Sequence, residues 1–248
     1  MNMPDHAVVS RDEWIAARKR HLLREKALTR MRDELSAERP ALPWVRVEKP
    51  YTFHTLEGEK SLSDLFGANS QLVIYHFMLA PGQDEGCVGC SLLADHLEGA
   101  VVHLEHHDVS VSMVSRAPLA DIQRYRARMG WEIPWVSSHG SDFNYDFNVA
   151  FTPEQVASGK VDYNYQAIKP WGEDAHGTSV FYKDADGHVF HTYSSYGRGG
   201  EAVLGTYAVL DMTPKGRNES GPGGDLVDWV KRHDSYDDAP QTARRCCG

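Results

Sequence analysis

The sequence has 248 residues and a formal net charge of −9, and this acidic balance excludes a general attraction to nucleic acid phosphates or to anionic lipid. The length fits one large α/β domain with extensions better than two independent domains. No apolar run approaches the roughly 18 residues that a membrane span needs, and charged residues occupy the N-terminal positions where a signal peptide would be apolar. We therefore expect a cytoplasmic protein that binds neither nucleic acid nor membrane.

The first predicted element is a long, exposed, amphipathic helix over residues 10–39. Ser10 and Glu13 have the spacing of a capping box, and the proline-rich stretch 40–43 ends the helix. Its apolar side can pack on the domain surface or form a subunit contact, so a homodimer through this helix is one expectation. Residues 1–44 are thus predicted to be an N-terminal helical extension.

The elements that follow alternate between strand and helix before they end in a hairpin. In chain order, the sequence predicts a strand at 45–53, a short helical element at 61–66, a buried strand at 71–79, a helix at 91–107, a buried strand at 109–114, a helix at 118–130, and hairpin strands at 179–182 and 188–193. A parallel βαβ unit followed by an antiparallel pair is the plan of the thioredoxin-like fold, an α/β fold with a central mixed sheet flanked by helices.

The same pattern divides the chain into regions. Residues 45–212 are predicted to form the thioredoxin-like domain, interrupted at about 131–177 by an aromatic, irregular insertion that partly covers the site. Residues 213–248 are predicted to form a C-terminal extension and flexible tail, with one short helix at about 226–232.

The cysteines carry the chemistry that the sequence suggests. Only four occur, as the close pairs Cys87 with Cys90 and Cys246 with Cys247, which is too sparse for the disulfide framework of a secreted domain. The first pair stands between a predicted buried strand and a predicted helix, where unpaired amides and the helix dipole favour a thiolate. We expect Cys87 to attack a disulfide and Cys90 to resolve the mixed disulfide, with no metal or other cofactor.

Two other interpretations of the pair stay open. Cys-X-X-Cys can be half of a zinc site, although the only other cysteines are terminal, or it can be a non-catalytic pair. Cys246 and Cys247 are either neutral tail residues or shuttle thiols that feed Cys87.

Several stretches of the sequence, spread over nearly the whole chain, resemble one known family. They are the opening helix at 14–35, the strand at 71–78, the cysteine motif at 87–91, and the stretches 114–118, 130–131, 134–138, 142–147 and 228–234. In these the chain is similar to the bacterial thioredoxin-like family catalogued as domain of unknown function 899, whose members are described as dithiol–disulfide oxidoreductases. The resemblance implies the same fold and activity here, with a protein or small-molecule disulfide as substrate and a separate reductant.

The sequence departs from ordinary thioredoxins around the cysteines. No tryptophan directly precedes Cys87, and no proline stands just before the strand at 179. At the position of that proline lies His176-Gly177-Thr178, which resembles the Arg-Gly-Thr stretch of peroxiredoxin-like proteins, so His176 and Thr178 are candidate substrate-positioning residues. A thiol peroxidase is therefore one alternative function, although Asp84 stands where peroxiredoxins have Thr or Ser.

Other polar residues are candidates for positioning substrate or tuning a pKa. Arg116 follows the second buried strand, and His76 lies in the strand that leads to the cysteine loop. Asp84 and Glu85 would raise the pKa of Cys87 if they faced it, which favours the alternative of a binding or scaffolding protein without turnover.

Two further groups of side chains are ambiguous in sequence. His96, His103 and His107 either form a surface or hold a metal, and the aromatic residues at 143–147 either anchor the insertion or line a groove.

Overall fold

The computed structural model describes residues 6–236 and divides them into two compact units, the first ending at Trp44 and the second beginning at Val45. In the first unit, helix α1 spans Arg11–Glu38 and passes into a short 3-10 turn at Arg39–Ala41. The predicted capping box is present, because the Ser10 hydroxyl accepts a hydrogen bond from the Glu13 amide while the Glu13 carboxylate accepts one from the Ser10 amide at 2.9 Å. No residue of α1 is buried.

The second unit contains the sheets and the remaining described helices. The strands are β1 Val45–Arg46, β2 Thr52–Thr55, β3 Gly58–Ser61, β4 Gln71–His76, β5 Val109–Ser115, β6 Trp135–Ser137, β7 Val161–Tyr163, β8 Gln166–Ile168, β9 Gly177–Lys183 and β10 Val189–Tyr196. The helices are α2 Val88–Glu98, α3 Val101–Glu105, α4 Leu119–Met129, α5 Phe143–Asp146, α6 Pro153–Ala157 and α7 Gly205–Leu210. Short 3-10 segments occur at Asp64–Phe66, Gly197–Val203 and Leu226–Asp228.

Eight of the described strands form one mixed sheet in the order β1-β10-β9-β4-β5-β6-β2-β3, and β7 pairs with β8 separately. Strands β4 and β5 are parallel, as are β5 and β6, whereas β9 pairs antiparallel with both β4 and β10. The order β5-β4-β9-β10, with α2 and α3 connecting β4 to β5, is the core arrangement of the thioredoxin-like fold. This confirms the predicted fold class.

The sheet separates two apolar cores, because successive residues of a strand point to opposite faces. On one face Leu72 and Ile74 of β4 join a cluster with Phe143 and Phe181. On the other face Tyr75 and the following Phe77 join a cluster that contains α2, α4 and the cysteine motif. The face of each β4 residue therefore decides whether it can reach the cysteines.

Several predicted boundaries were wrong, for local reasons. The strand expected at 45–53 is split, because Pro50 lacks an amide proton and lies between β1 and β2. The single helix expected at 91–107 is two helices, because α2 ends at Glu98 with Gly99 as its C-cap. The next amide, that of Ala100, donates to the Leu97 carbonyl at 2.8 Å and closes a tighter turn.

The remaining differences concern the insertion and the C-terminal region. Within 131–177 the chain is not wholly irregular, because the buried residues of β6 extend the main sheet parallel to β5. The short helix expected at 226–232 is a 3-10 turn over Leu226–Asp228. None of the helices between residues 6 and 236 has both the length and the apolar character to cross a bilayer.

Candidate thiol–disulfide site

The cysteine pair lies where the loop after β4 enters α2. Cys87 occupies the N-cap position and Cys90 lies in the first turn. The Cys87 amide donates to the Met78 carbonyl at 3.2 Å, and the Cys87 carbonyl accepts from the Ser91 amide at 2.9 Å, so its backbone is fixed to the strand end and to the helix. The structure therefore places both sulfurs at a helix N-terminus, where unpaired amides favour negative charge.

Cys87 has the environment of a reactive thiol. It is a free, half-buried cysteine. A hydrogen bond from Cys90, together with the Cys90 and Gly89 amides and the charge of Arg232, lowers the pKa of Cys87 to about 6 despite the opposing effect of burial. A thiol with this pKa is largely thiolate near neutral pH, the form that attacks a disulfide.

Cys90 has the opposite environment. It is a free cysteine with only 1% of its surface exposed, and burial raises its pKa well above the ordinary value. The Tyr75 hydroxyl and the Met78 amide interact with its sulfur and favour the ionised form. At neutral pH Cys90 is thus the proton-bearing partner that donates to the Cys87 thiolate.

The two acidic residues of the approach loop are paired with arginines. Glu85 forms ion pairs with Arg128 and, at 3.1 Å, with Arg232, and the hydrogen bond from Arg128 lowers the pKa of Glu85. Asp84 is 3.2 Å from Arg124. The charge of Glu85 is therefore largely offset by two guanidinium groups. Asp84 is a surface residue whose side chain is 92% exposed.

A segment near the end of the described chain covers the motif. A Cβ placed on Gly89 would lie 3.1 Å from a methyl carbon of Leu226 and 3.9 Å from the Cys87 sulfur. Arg232 donates to the Gly86 carbonyl at 2.6 Å and to the Tyr125 hydroxyl at 2.9 Å. The site is thus formed by the β4–α2 junction together with residues far along the chain.

Two of the candidate positioning residues lie at or next to the start of β9, the strand that pairs with β4. Thr178 pairs with Tyr75 across β9 and β4, so both side chains lie on the sheet face that carries the cysteines. His176 is half-buried, burial lowers its pKa, and its carbonyl accepts from the Tyr163 hydroxyl at 2.8 Å. Tyr163 in turn interacts electrostatically with Cys90.

The candidate residue His76 has its side chain on the opposite face of β4 from the cysteines. Its Nε2 atom is 2.9 Å from the Ser179 hydroxyl, and its ring stacks on Phe143 and Phe147. His76 is fully buried, its Nδ1 atom has no hydrogen-bond partner, and burial lowers its pKa to about 3. It is a packed, neutral core histidine.

Arg116 is engaged with the segment that follows β6. It donates to Asp174 at 2.6 Å and to the Tyr145 hydroxyl at 2.8 Å. With Phe143 and Phe147 buried in the core beside Tyr51, the aromatic residues at 143–147 anchor this segment instead of lining a groove. The contacts of Arg116 are with this anchor.

The histidines after the cysteine pair do not form a metal site in the described residues. Both ring nitrogens of His96 have partners, the Leu92 carbonyl at 2.6 Å and the Thr206 hydroxyl at 2.9 Å. The ligand atoms that do converge between residues 6 and 236 are those of the hairpin turn, Asp184, Asp186 and His188. Cys246 and Cys247 lie outside the described residues.

Sequence reasoning missed the hydroxyl and guanidinium groups around the cysteines. Tyr75 directly precedes His76 in β4, so the two side chains lie on opposite faces of the sheet. Only the structure shows that the Tyr75 side chain is on the face with the cysteines. Tyr125 and Arg232 approach from α4 and from the C-terminal segment. Arg232 lies in the stretch 228–234, which is part of the family resemblance but does not by itself indicate what any of its residues does.

The comparisons with known proteins identify a family and a set of distant structural neighbours. A family model described as "Bacterial protein of unknown function (DUF899)" matches residues 3–236. A search of the curated proteins found no significant match.

Among solved structures, the chain is similar to peroxidoxin BcpB from Mycobacterium tuberculosis, with 14% identity over 68% of this chain and 97% of that chain and a TM-score of 0.42. It is also similar to peroxiredoxin Q from Xanthomonas campestris, with 16% identity over 64% of this chain and 89% of that chain and a TM-score of 0.39. A peroxiredoxin Q mutant from Xylella fastidiosa has 17% identity over 64% of this chain and 88% of that chain, with a TM-score of 0.40.

Proposed function

The chain belongs to the bacterial protein family DUF899, and for this member we propose the function of a dithiol–disulfide oxidoreductase in which Cys87 attacks and Cys90 resolves. One observation carries the proposal: two free thiols at the N-terminus of one helix have pKa values shifted in opposite directions. A low-pKa, accessible thiol beside a buried, protonated one is the arrangement that a two-step exchange requires.

In the first step the Cys87 thiolate attacks one sulfur of a substrate disulfide. The substrate S–S bond breaks, a mixed disulfide forms between Cys87 and one half of the substrate, and the other half leaves as a thiolate. The backbone amides of Gly89 and Cys90 stabilise the attacking thiolate.

In the second step Cys90 loses its proton to solvent or to the departing thiolate and attacks the Cys87 sulfur. The Cys87–Cys90 bond forms, the mixed disulfide breaks, and the second half of the substrate leaves as a thiolate, which exchanges protons with solvent. Two electrons have then passed from the protein dithiol to the substrate, and an external thiol reductant returns them. The Tyr75 hydroxyl stabilises negative charge on Cys90 during this step.

The test is single-turnover reaction of the reduced protein with oxidised glutathione, followed by mass spectrometry. The parent protein should carry Cys246→Ser and Cys247→Ser, so that only the site cysteines react. We expect the parent to end as an internal disulfide, Cys90→Ser to stop at the glutathione adduct, and Cys87→Ser to react at least about 100-fold more slowly, since the buried Cys90 thiol is mostly protonated.

Equal rates in the parent and in Cys87→Ser would contradict the proposal. A Cys87 pKa near that of free cysteine, about 8.5, would instead favour a binding protein without turnover. Oxidation of Cys87 by hydrogen peroxide much faster than that of generic thiols would favour a thiol peroxidase. Comparison of the parent with the native chain shows whether Cys246 and Cys247 feed electrons to Cys87.

The proposal places the protein in the cytoplasm, with a protein or small-molecule disulfide as substrate and a cellular thiol as reductant. The support for this compartment is the use of cysteine, since a chain of this length has only two close pairs and both described cysteines are free.

A further inference from the structure

Residues 226–234, named here the C-terminal strap, cross the cysteine motif and contact several elements around it. Leu226 lies against Gly89 of α2, and Val230 is buried. His233 bonds to Asp95 of α2 at 2.7 Å, and Asp234 pairs with Arg128 of α4 at 2.8 Å. The strap is therefore held at both ends, with Arg232 between these contacts.

Arg232 uses all three nitrogens of its guanidinium group at this position. One terminal nitrogen donates to the Gly86 carbonyl at 2.6 Å, the Nε atom donates to the Tyr125 hydroxyl at 2.9 Å, and the other terminal nitrogen lies 3.1 Å from Glu85. Its side chain is only 17% exposed. A planar guanidinium group that bonds three partners at once fixes their relative positions, which a lysine ammonium cannot do.

The hydrogen bonds run in one direction from Arg232 to the backbone of Cys87. Arg232 donates to Tyr125, and the Ser91 hydroxyl, 2.9 Å from the Tyr125 hydroxyl, donates to the Cys87 carbonyl at 2.8 Å. Because the Ser91 proton is used in that bond, the Tyr125 proton must be donated to Ser91. Arg232 thus holds the carbonyl before Cys87 directly and the carbonyl of Cys87 itself through two hydroxyls.

Arg232 also sets the charge balance around the reactive sulfur. The titratable and charged side chains around Cys87 and Arg232 include Tyr75, Glu85, Cys90, Asp95, Tyr125, Arg128, His233 and Asp234. Arg232 and Arg128 together offset the negative charge of Glu85, and the charge of Arg232 favours ionisation of Cys87.

We propose that Arg232 is a positioning residue of the thiol site, brought by the C-terminal strap to fix the backbone on both sides of Cys87 and to supply positive charge there. This inference deepens the proposed function and rests on it for its meaning, but its test needs no disulfide substrate.

The experiment measures the rate at which iodoacetamide alkylates Cys87 as a function of pH, with the modified peptide located by mass spectrometry. Arg232→Met removes the positive charge and the hydrogen-bond donors, whereas Arg232→Lys keeps the charge and loses the planar guanidinium group. Arg124→Met is the matched control, because Arg124 is an exposed arginine of α4 that pairs with Asp84 and Asp121. All variants are made in the parent with Cys246→Ser and Cys247→Ser.

We expect the midpoint of the alkylation profile to rise by about half a pH unit or more in Arg232→Met, with a smaller rise in Arg232→Lys and none in Arg124→Met. At a pH below the midpoint this is at least about a threefold loss of rate. A midpoint in Arg232→Met equal to that of the parent, or equal rises in Arg232→Met and Arg124→Met, would overturn the inference.

If Arg232→Met does not fold, as judged by near-ultraviolet circular dichroism, Arg232→Lys decides, because a raised midpoint supports the inference and an unchanged one refutes it. If the parent exchanges disulfides but Arg232→Met shows no rise in the alkylation midpoint, the proposed function stands and only this inference is lost. If the midpoint rises in Arg232→Met but the parent does not exchange disulfides, the proposed function is lost and the effect of Arg232 on Cys87 stands.

Discussion

Two sulfurs at the N-terminus of α2 acquire opposite acidities from their immediate surroundings. Cys87, half-buried, receives hydrogen bonds from Cys90 and from backbone amides, so its pKa falls to about 6. Cys90, on the core side of the first turn, has few ways to stabilise a charge, and burial raises its pKa. Besides Cys87, the hydroxyl of Tyr75 interacts with the buried sulfur of Cys90. At the residue scale the order of events is thus determined by the hydrogen bonds to Cys87 and by the burial of Cys90.

Tyr75→Phe should slow the resolving step and leave the first step unchanged. Loss of a hydrogen bond to a charged group costs about 1.5–3 kcal/mol, so we expect the mixed disulfide at Cys87 to persist about tenfold longer or more. Rapid-quench mass spectrometry of the glutathione adduct measures its lifetime.

The control for this prediction is Tyr165→Phe, which removes a hydroxyl that bonds the Ser194 carbonyl at 3.0 Å. Equal adduct lifetimes in Tyr75→Phe and Tyr165→Phe would show that the Tyr75 hydroxyl does not assist Cys90.

The sequence was sufficient to locate the two cysteines but not to choose their neighbours. The motif spacing and the strand before it depend on local residues, so Cys87 and Cys90 could be placed at a helix start from sequence alone. The choice between Tyr75 and His76 depends on which face of β4 receives α2, and β4 is apolar on both faces. Arg232 could not be assigned, because its contact to Gly86 joins residues 146 positions apart.

At the scale of elements, Gly86 determines how closely the approach loop passes the core. A Cβ at Gly86 would lie 2.7 Å from the Cζ atom of Phe77 and 2.9 Å from a ring carbon of Tyr125. Both rings are buried, so neither can move aside easily. The loop that delivers Cys87 to α2 is therefore in contact with the core at a position where only glycine fits.

Gly86→Ala should destabilise the protein by about 1–3 kcal/mol, because the added methyl group overpacks the core. It should also displace Cys87 from the helix N-terminus and raise the midpoint of its alkylation profile. Urea unfolding and alkylation measure the two effects.

Gly99→Ala is the matched control, since Gly99 has an ordinary helical φ of −75° and no atom lies within 4 Å of its added Cβ. A free energy of unfolding for Gly86→Ala as high as that for Gly99→Ala would contradict the close approach.

For the whole molecule, the sheet places two titratable groups in separate cores, Cys87 on one face and His76 on the other. Both have pKa values below their ordinary values, to about 6 and about 3. In each case the unfolded chain binds more protons than the folded protein between the two pKa values, so stability rises with pH in that window. The contribution of Cys87 is lost as pH falls from about 8.5 to about 6, and that of His76 as pH falls below about 6.5.

The prediction is that the free energy of unfolding of the reduced protein falls with decreasing pH across both windows. His76→Phe, an apolar replacement among aromatic rings, should flatten the profile below about pH 6.5 and leave Cys87 alkylation unchanged. Cys87→Ser should flatten it between about pH 6 and 8.5. Urea titrations at a series of pH values give the profiles, and a His76→Phe curve parallel to that of the parent would show that this histidine does not resist protonation in the fold.

The docking of the C-terminal strap has a consequence for the protein during its own synthesis. On the ribosome, Gly86 and Cys87 emerge long before Arg232, which follows Gly86 by 146 residues. A nascent chain therefore presents Cys87 without its guanidinium partner, as a thiol that is harder to ionise. The complete environment of Cys87 would therefore form only after the strap has been translated and has docked.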